Sequence, residues 1–320
     1  MSDVYSSDVW SSGVWSSDVR SSEIAMFESE RARLRGLAYR MTGTPDDADD
    51  VVQEAWIRWQ RVDRSTIENP AAWLTTVTSR LALDRLTSAQ ARREQYVGPW
   101  LPEPLATAAG PDELVAAADS LTLGFMRVLE TLQPIERAVF LLHDVFEMPF
   151  GEVAAAVDRN EPATRQIAKR ARDRVRSGRP RLTAEPADVQ ALSEAFLTAM
   201  LGGDVDALAA MLTDDVVHVS DGGPDHHAAR RPVRGPHRVA RLFVNITRRN
   251  FLPTDEFHTV LVNGQTGTYV VRDGEPYVLT VLGWRGGQVA EALSIVNPDK
   301  LRHFHEAWLR GAGTPPGPLM

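Results

Sequence analysis

Residues 46–56, DDADDVVQEAW, combine two different faces on one predicted helix. Pro45 precedes them at a position where proline starts helices, and acids in a first turn suit the positive end of the helix dipole. The apolar residues recur with the helical period of 3.6. The pattern predicts a buried stripe formed by Ala48, Val51, Val52, Ala55, Trp56 and Trp59. A polar stripe, Asp46, Asp50, Gln53 and Glu54, faces the other way.

Helical periodicity continues on both sides of this stretch. Leu34, Leu37 and Met41 share a face before it, and after it Asn69 and Pro70 form the N-cap and first position of a further helix. We expect residues 27–93 to form an all-helical domain. Residues 1–26 contain a five-residue repeat built on Ser-Ser with little apolar surface, which predicts a disordered low-complexity tail.

Closely spaced prolines mark residues 94–112 as a linker. Pro99, Pro102 and Pro104 prevent regular structure, so this segment is predicted to be extended. Trp100 and Leu101 give it more apolar surface than a flexible spacer needs. We therefore expect the linker to dock on another part of the chain.

A helix-turn-helix is predicted near residues 149–178, within a second helical domain at residues 113–180. Although the net charge of the chain is -8, residues 159–181 carry nine basic residues against Glu161 and Asp173. Such a local cluster is typical of phosphate binding. Since the second helix of this motif enters the major groove, Arg165, Gln166 and Lys169 are predicted to read bases. Arg170 and Arg172 are predicted to contact phosphates.

The composition changes again after residue 186. Two apolar helices are followed by alternating strand-like runs between residues 216 and 296, separated by glycine-containing turns. We expect a separate α+β domain at residues 186–310 and a flexible tail at residues 311–320.

Bulk properties exclude several classes of function. The 320 residues fit two or three domains, and the absence of cysteine excludes disulfides, thiolate nucleophiles and cysteine-based zinc sites. No apolar run is long enough to span a bilayer, and the N-terminus lacks the apolar core of a secretory signal. We therefore expect a cytoplasmic protein without a membrane partner, a metal or a cofactor.

Residues 27–178 resemble the two conserved domains of the extracytoplasmic-function sigma factors, and residues 46–56 are similar to the signature helix of that family. The resemblance implies that Asp46, Asp50, Gln53 and Glu54 bind the β′ coiled coil of the RNA polymerase core. It also implies promoter DNA as a partner, with the second helical domain on the minus-thirty-five element. The helix after Pro70 would engage the minus-ten element through Thr76, Ser79, Arg80 and Leu83; many members carry asparagine where Arg80 stands.

The C-terminal segment resembles the SnoaL-like, NTF2-like cone fold that is fused to sigma factors of the SigJ type. Two stretches are similar to signatures of this subgroup: Trp100, Leu101 and Pro102 in the linker, and Asn297, Pro298, Asp299 and Lys300 near the end. Asp221, Gly222 and Gly223 match the start of a third, Asp-Gly-Gly-Gly-Lys, but Pro224 follows here and the lysine is missing. The resemblance implies that these residues regulate the sigma domains in cis.

Two other functions deserve comparison. Cone-shaped domains can hold acid/base pairs, and His218, Asp221, His226 and His227 lie close in sequence, but no metal-ligand spacing or activated nucleophile accompanies them. We therefore expect no catalytic residues and no enzyme activity; a pocket that senses a small molecule is favoured over one that reacts. The alternative function is a helix-turn-helix regulator that senses such a ligand and never binds polymerase.

Overall fold

The computed structural model describes residues 12–93, 95–107, 121–178, 186–224 and 226–313. Three helices form the first helical unit: α1 (Ser12–Thr42), α2 (Pro45–Arg61) and α3 (Pro70–Arg93). The second helical unit contains α4 (Leu123–Leu129), α5 (Pro134–Phe140), which runs into a π-type turn at Leu141–Val145, α6 (Phe150–Ala156) and α7 (Glu161–Gly178). The predicted helix-turn-helix corresponds to α6 and α7.

The C-terminal domain mixes helices and strands, as the sequence predicts. Its elements are α8 (Pro186–Gly202), α9 (Val205–Ala210), β1 (Leu212–Asp221), β2 (Val233–Arg234), α10 (Pro236–Asn250), β3 (Glu256–Val262), β4 (Gln265–Arg272), β5 (Glu275–Arg285), β6 (Gln288–Ile295) and α11 (Pro298–Leu309). The strands form one sheet in the order β2-β1-β6-β5-β4-β3. Only the β1–β6 pair is parallel among these strands. Helix α10 was not anticipated from the sequence.

The N-terminus differs from the sequence prediction. Helix α1 begins at Ser12, inside the segment for which a disordered tail is predicted, whereas residues 1–11 lie outside the described residues. No proline interrupts residues 12–42, and extending an existing helix is far less costly than starting one. The N-terminal part of α1 therefore continues the helix that packs in the first helical unit.

The start of α2 follows the expected chemistry. The Thr44 hydroxyl accepts a hydrogen bond from the backbone N–H of Asp47, and Pro45 occupies the first turn. Ala48, Val51 and Trp59 are buried, while Trp56 is half-buried and packs its ring 4.8 Å from that of Phe27. The predicted apolar stripe is thus the inner face of α2.

The two helical units share one hydrophobic core instead of standing apart. Leu37 and Ala82 of the first unit lie in the same buried cluster as Phe125 and Val139 of the second. Arg137 of α5 is 1% exposed and donates a hydrogen bond of 2.8 Å to the Met41 carbonyl at the end of α1. The arrangement of the two units is therefore fixed by buried contacts.

The sheet of the C-terminal domain is covered on both faces. Helices α8, α9 and α10 pack on one face around residues such as Phe196 and Phe243. The other face packs against α11 and also buries Leu101 of the linker and Leu123 of α4. The C-terminal domain thus completes its core with residues from the preceding segments. Among the helices of the described residues, none is both long and apolar enough to cross a membrane.

Candidate functional site

Most of the acidic face of α2 is open. This face consists of Asp46, Asp50, Gln53 and Glu54. Asp50 pairs with Arg85 at 2.9 Å and keeps its side chain 57% exposed, and Glu54 pairs with Arg58 at 3.1 Å. Since such pairs between exposed side chains are weak, they leave these acids available to a partner. Asp46 differs, because its Oδ1 lies 2.8 Å from Nε2 of His303 in α11.

The second helical unit contacts part of the outer face of α3, which is formed by Thr76, Ser79, Arg80 and Leu83. The guanidinium of Arg80 donates to the Ala155 carbonyl at 2.7 Å and to the Ala156 carbonyl at 3.3 Å, both at the end of α6. Leu83 packs against the shared core. Ser79 is 2% exposed and donates to the Thr75 carbonyl. In this arrangement Ser79 is inaccessible and Leu83 is half-buried, while the exposed Arg80 is bonded to the end of α6.

The recognition face of α7, formed by Arg165, Gln166 and Lys169, is exposed. It results from the helical period, because Ile167, Ala168 and Ala171 turn the opposite side of α7 into the core. Arg165 pairs with Glu161 and lies over the Phe150 ring. The predicted phosphate contacts are also held locally: Arg170 reaches Glu136 at 3.6 Å, and Arg172 reaches Asp144 at 2.7 Å.

Asp221, Asn297 and Lys300 form a buried linker site. Asp221 is 0% exposed, and its Oδ2 accepts from the Leu101 N–H and from Nζ of Lys300, each at 2.7 Å. Its Oδ1 accepts from the Tyr96 hydroxyl at 2.5 Å, and Nδ2 of Asn297 donates to the same hydroxyl at 2.9 Å. Three of the predicted regulatory residues thus meet in one cluster that holds the linker.

Burial shifts the pKa values of two side chains at the linker site, Lys300 and Tyr96. Burial lowers the pKa of Lys300 to about 8, although the neighbouring Asp221 carboxylate opposes this shift. Burial also raises the pKa of Tyr96, and the hydrogen bond to Asp221 adds to the effect. Tyr96 therefore stays a hydrogen-bond donor, as Asp221 requires.

Trp100 lies between two cations. The guanidinium carbon of Arg93 is 3.8 Å from the centre of its ring, and Nζ of Lys300 is 3.9 Å from it. Both distances are typical of cation–π contacts. Gly43, with a φ of +78°, makes room for the ring, since a Cβ there would lie 2.8 Å from Trp100. Trp100 thus joins the first helical unit to the C-terminal domain.

The Asp221-Gly222-Gly223 loop needs its glycines. Gly223 has a φ of +64°, and a Cβ there would lie 2.7 Å from Nδ2 of Asn297. A Cβ on Gly222 would lie 2.7 Å from the His226 carbonyl oxygen. The loop brings Asp221 and Asn297 together by close backbone approach. Pro298 and Asp299 serve the same end by starting α11, where the Asp299 N–H donates to the Asn297 side chain.

The linker beyond Trp100 extends the sheet. Ala106 forms an isolated bridge with Val262 of the edge strand β3, and the Thr107 N–H donates to the Leu261 carbonyl at 3.1 Å. Pro102 is buried and precedes Glu103, whose carbonyl accepts from the Tyr39 hydroxyl at 2.7 Å. The prediction that the linker docks on another part of the chain agrees with these contacts.

Several residues at these contacts were missed by sequence reasoning. Asn263 is 0% exposed; its side chain donates to the Tyr39 hydroxyl and the Leu121 carbonyl and accepts from the Leu105 N–H. Arg127 of α4 pairs with the buried Glu291 of β6. The only sequence signal was Asn263-Gly264, a turn dipeptide, which indicates a hairpin and not an interdomain contact.

Of the four residues considered for acid/base chemistry, His218 and His227 line one cavity, whereas Asp221 and His226 do not. Asp221 is bound to the linker, whereas His218 points its Nε2 at the Ser294 hydroxyl, 3.1 Å away, inside a cavity. His226 is exposed. Burial lowers the pKa of His218 to about 4, so that its imidazole is neutral at pH 7.

Known proteins resemble this chain in sequence and in structure. The family model Sigma-70 region 2 matches residues 26–92, and the model Sigma-70, region 4 matches residues 123–175. The ECF RNA polymerase sigma factor SigJ of Mycobacterium tuberculosis is 40% identical over 295 residues, which cover 87% of this chain and 92% of that protein. The probable ECF RNA polymerase sigma factor SigI of the same organism is 36% identical over 195 residues, 60% of this chain and 67% of that protein.

Structural comparison extends the likeness to the C-terminal domain. The crystal structure of the Mycobacterium tuberculosis extracytoplasmic function sigma factor SigJ has a TM-score of 0.70 and 37% identity to this chain. The superposed part covers 88% of this chain and 98% of the SigJ chain.

Proposed function

Because this chain belongs to the extracytoplasmic-function RNA polymerase sigma factors, we propose that the structure is the closed form of such a factor, held shut by its own C-terminal domain. A sigma factor binds the polymerase core and directs transcription to promoters; it is not an enzyme, as expected from the sequence. The fold class of two all-α sigma domains and an α+β domain is also confirmed. The helix-turn-helix regulator that never binds polymerase is not favoured.

The contact of Arg80 with Ala155 and Ala156 carries this proposal. The predicted minus-ten residues lie on α3, where α6 holds the Arg80 side chain and Leu83 packs against the shared core. Promoter opening requires bases to reach these residues, so the second helical unit must leave α3 before transcription starts. Regions 2 and 4, which are the two helical units, therefore separate during activation.

We propose that the acidic face of α2 binds the β′ coiled coil of polymerase in the closed form as well. Asp50, Gln53 and Glu54 remain accessible, and the negative charge of Asp50 and Glu54 suits a basic partner. Polymerase binding and promoter reading are then separate steps in the cytoplasm. The recognition face of α7 would read the minus-thirty-five element once the regions take up promoter spacing.

The C-terminal domain is proposed to control this opening through the linker. Its linker site holds Tyr96 and Leu101, and Asn263 holds Tyr39 and Leu105. We further propose that it responds to a small molecule.

Run-off transcription with purified core polymerase tests the proposal. The wild-type chain and the variant Asp221→Asn, which loses the carboxylate of the linker site, should bind core equally. The variant should then produce much more promoter-specific transcript than the wild type does. A wild-type protein that fails to bind core would disprove the sigma function, whereas equal transcript from both proteins would disprove the closed form.

A further inference from the structure

A cavity of about 300 Å³ lies between the sheet of the C-terminal domain and helices α8 and α10. This volume is at the lower end of the range for small-molecule sites. Its walls are mainly apolar, with Phe196, Phe243 and Leu282 as examples. The described residues that line it include no Asp, Glu, Lys or Arg, and its histidines are the buried His218 and the exposed His227. Such a lining disfavours a charged ligand, because a buried charge needs a partner.

A chain of three polar side chains crosses the sheet at the cavity wall. The hydroxyl oxygen of Thr280 in β5 lies 3.0 Å from that of Ser294 in β6. The Ser294 hydroxyl oxygen in turn lies 3.1 Å from Nε2 of His218 in β1. His218 is 2% exposed. Its Nδ1 has no hydrogen-bond partner among the described residues. Buried polar atoms are rarely left unpaired, so this nitrogen indicates a missing partner.

We propose that the cavity binds an uncharged, largely apolar molecule of about the size of a two-ring aromatic compound, with a hydroxyl group paired to Nδ1 of His218. A hydroxyl suits the site whichever ring nitrogen carries the proton, because it both donates and accepts. The Phe243 ring packs against the imidazole of His218, with the two ring centroids 5.0 Å apart and the planes at 66°. This inference deepens the proposed control by a small molecule and does not depend on polymerase binding.

The cavity adjoins the linker site along two strands. Ser220 and Val296 line the cavity, and each directly precedes a member of the linker site, Asp221 and Asn297. The cavity walls belong to the arrangement in which the linker is docked. A ligand that fits them therefore favours that arrangement.

Full-length protein titrated with 2-naphthol, naphthalene and 2-naphthoate, followed by probe fluorescence, tests the ligand class. One hydrogen bond should make 2-naphthol bind about three- to tenfold more tightly than naphthalene. The anion 2-naphthoate should bind worst. Equal affinities for 2-naphthol and naphthalene, tightest binding of 2-naphthoate, or no binding of any probe would overturn the proposal.

Variants locate the site. His218→Phe keeps a ring but removes Nδ1, so it should retain naphthalene and lose the preference for 2-naphthol. Ile246→Trp should fill the cavity and abolish binding of both, whereas Asn245→Trp, at an exposed position of the same helix, should change neither. If His218→Phe does not fold, the comparison of Ile246→Trp with Asn245→Trp still shows whether the probes bind in the cavity. Equal probe binding by these two variants would contradict binding in the cavity.

Hydrogen exchange tests the coupling to the linker. At a 2-naphthol concentration of 100 times its Kd, exchange of the Leu101 amide should slow by up to about 100-fold. An unchanged rate would refute the coupling. Binding of core polymerase, measured on the same samples, separates this inference from the sigma function: probe binding without core binding would sustain the ligand site alone.

Discussion

Nζ of Lys300 lies 2.7 Å from Oδ2 of Asp221, and both side chains are almost completely buried where the C-terminal domain meets the linker. An ion pair in such a place contributes little net stability, because desolvation offsets most of the attraction. Breaking it by removing one partner is costly, since the other charge is left buried. The pair therefore makes the docking of the linker sensitive to small changes at either residue.

Replacing Lys300 by methionine should release the linker. The buried Asp221 carboxylate would lose its countercharge, at a cost of about 3–5 kcal/mol in the stability of the docked arrangement. Limited proteolysis of residues 95–107 should become markedly faster. Arg310→Met, an exposed basic residue of the same C-terminal region, is the matched control and should leave proteolysis unchanged. Proteolysis at the wild-type rate in Lys300→Met would contradict this role.

Charge reversal on the acidic face should remove polymerase binding. Asp50→Lys and Glu54→Lys are each expected to weaken core binding by about tenfold or more, about 1.4 kcal/mol, through lost attraction to β′. Asp49→Lys provides the control, because Asp49 is an exposed acid of the same helix that does not belong to the predicted polymerase-binding residues. Binding measured by surface plasmon resonance should distinguish them. Equal loss in all three variants would indicate a general charge effect instead.

Two substitutions on α7 should affect DNA binding differently. Arg165→Ala should cost about 1–3 kcal/mol on the preferred minus-thirty-five sequence and relax preference at one base position. Arg170→Ala should weaken binding to all sequences. It should also reduce the magnitude of the slope of log K against log salt concentration by about 1. Both effects can be measured by titrating the protein with DNA fragments that carry the minus-thirty-five element, at several salt concentrations. Each substitution is made in the opened variant Asp221→Asn. A uniform loss in Arg165→Ala would exclude base reading by this residue.

Docking of the linker should weaken between about pH 4.5 and 7. Burial raises the pKa of Glu103 from 4.5 to about 7, while Lys300 acts in the opposite direction. A carboxyl with a raised pKa in the folded state stabilises that state below its unfolded pKa, and this contribution is lost as pH rises through the folded pKa. Urea unfolding from pH 4 to 8 should therefore show a steeper decline for the wild type than for Glu103→Gln.

His303 also faces Glu103, at 3.8 Å, and is present in both proteins. Comparison of the two therefore isolates the carboxyl. Parallel pH profiles for the wild type and Glu103→Gln would show that Glu103 does not titrate in this range.

The hydropathy pattern predicted where helices form better than it predicted which of their residues are buried. The stripes of α2 and α7 were correctly assigned, because each helix has one face made almost wholly of apolar residues at helical spacing. Helix α3 was harder, since it buries Thr75, Thr78 and Ser79 as well. The Ser79 hydroxyl donates to the Thr75 carbonyl at 2.6 Å, which satisfies it without any partner outside the helix. Small hydroxyl residues of this kind give no periodic signal when they are buried.

The interdomain contacts were predictable only in part. The resemblance pointed to Asp221, Asn297 and Lys300, and these residues do meet. Arg137 is buried because it donates to the Leu129 and Met41 carbonyls, at 3.0 and 2.8 Å, and forms an ion pair with Glu130. A sequence pattern assigns such a charged residue to the surface, and one of its acceptors, Met41, lies in a different helical unit.

The position of Trp100 between Arg93 and Lys300 has a consequence for how the protein responds to a signal. Its ring belongs to the first helical unit and to the C-terminal domain at the same time, so neither body can withdraw without exposing the indole and both cations to water. Partial release gains little, because the remaining contacts still hold the chain in place. We therefore expect activation to be switch-like, with a threshold, and not graded with the strength of the stimulus.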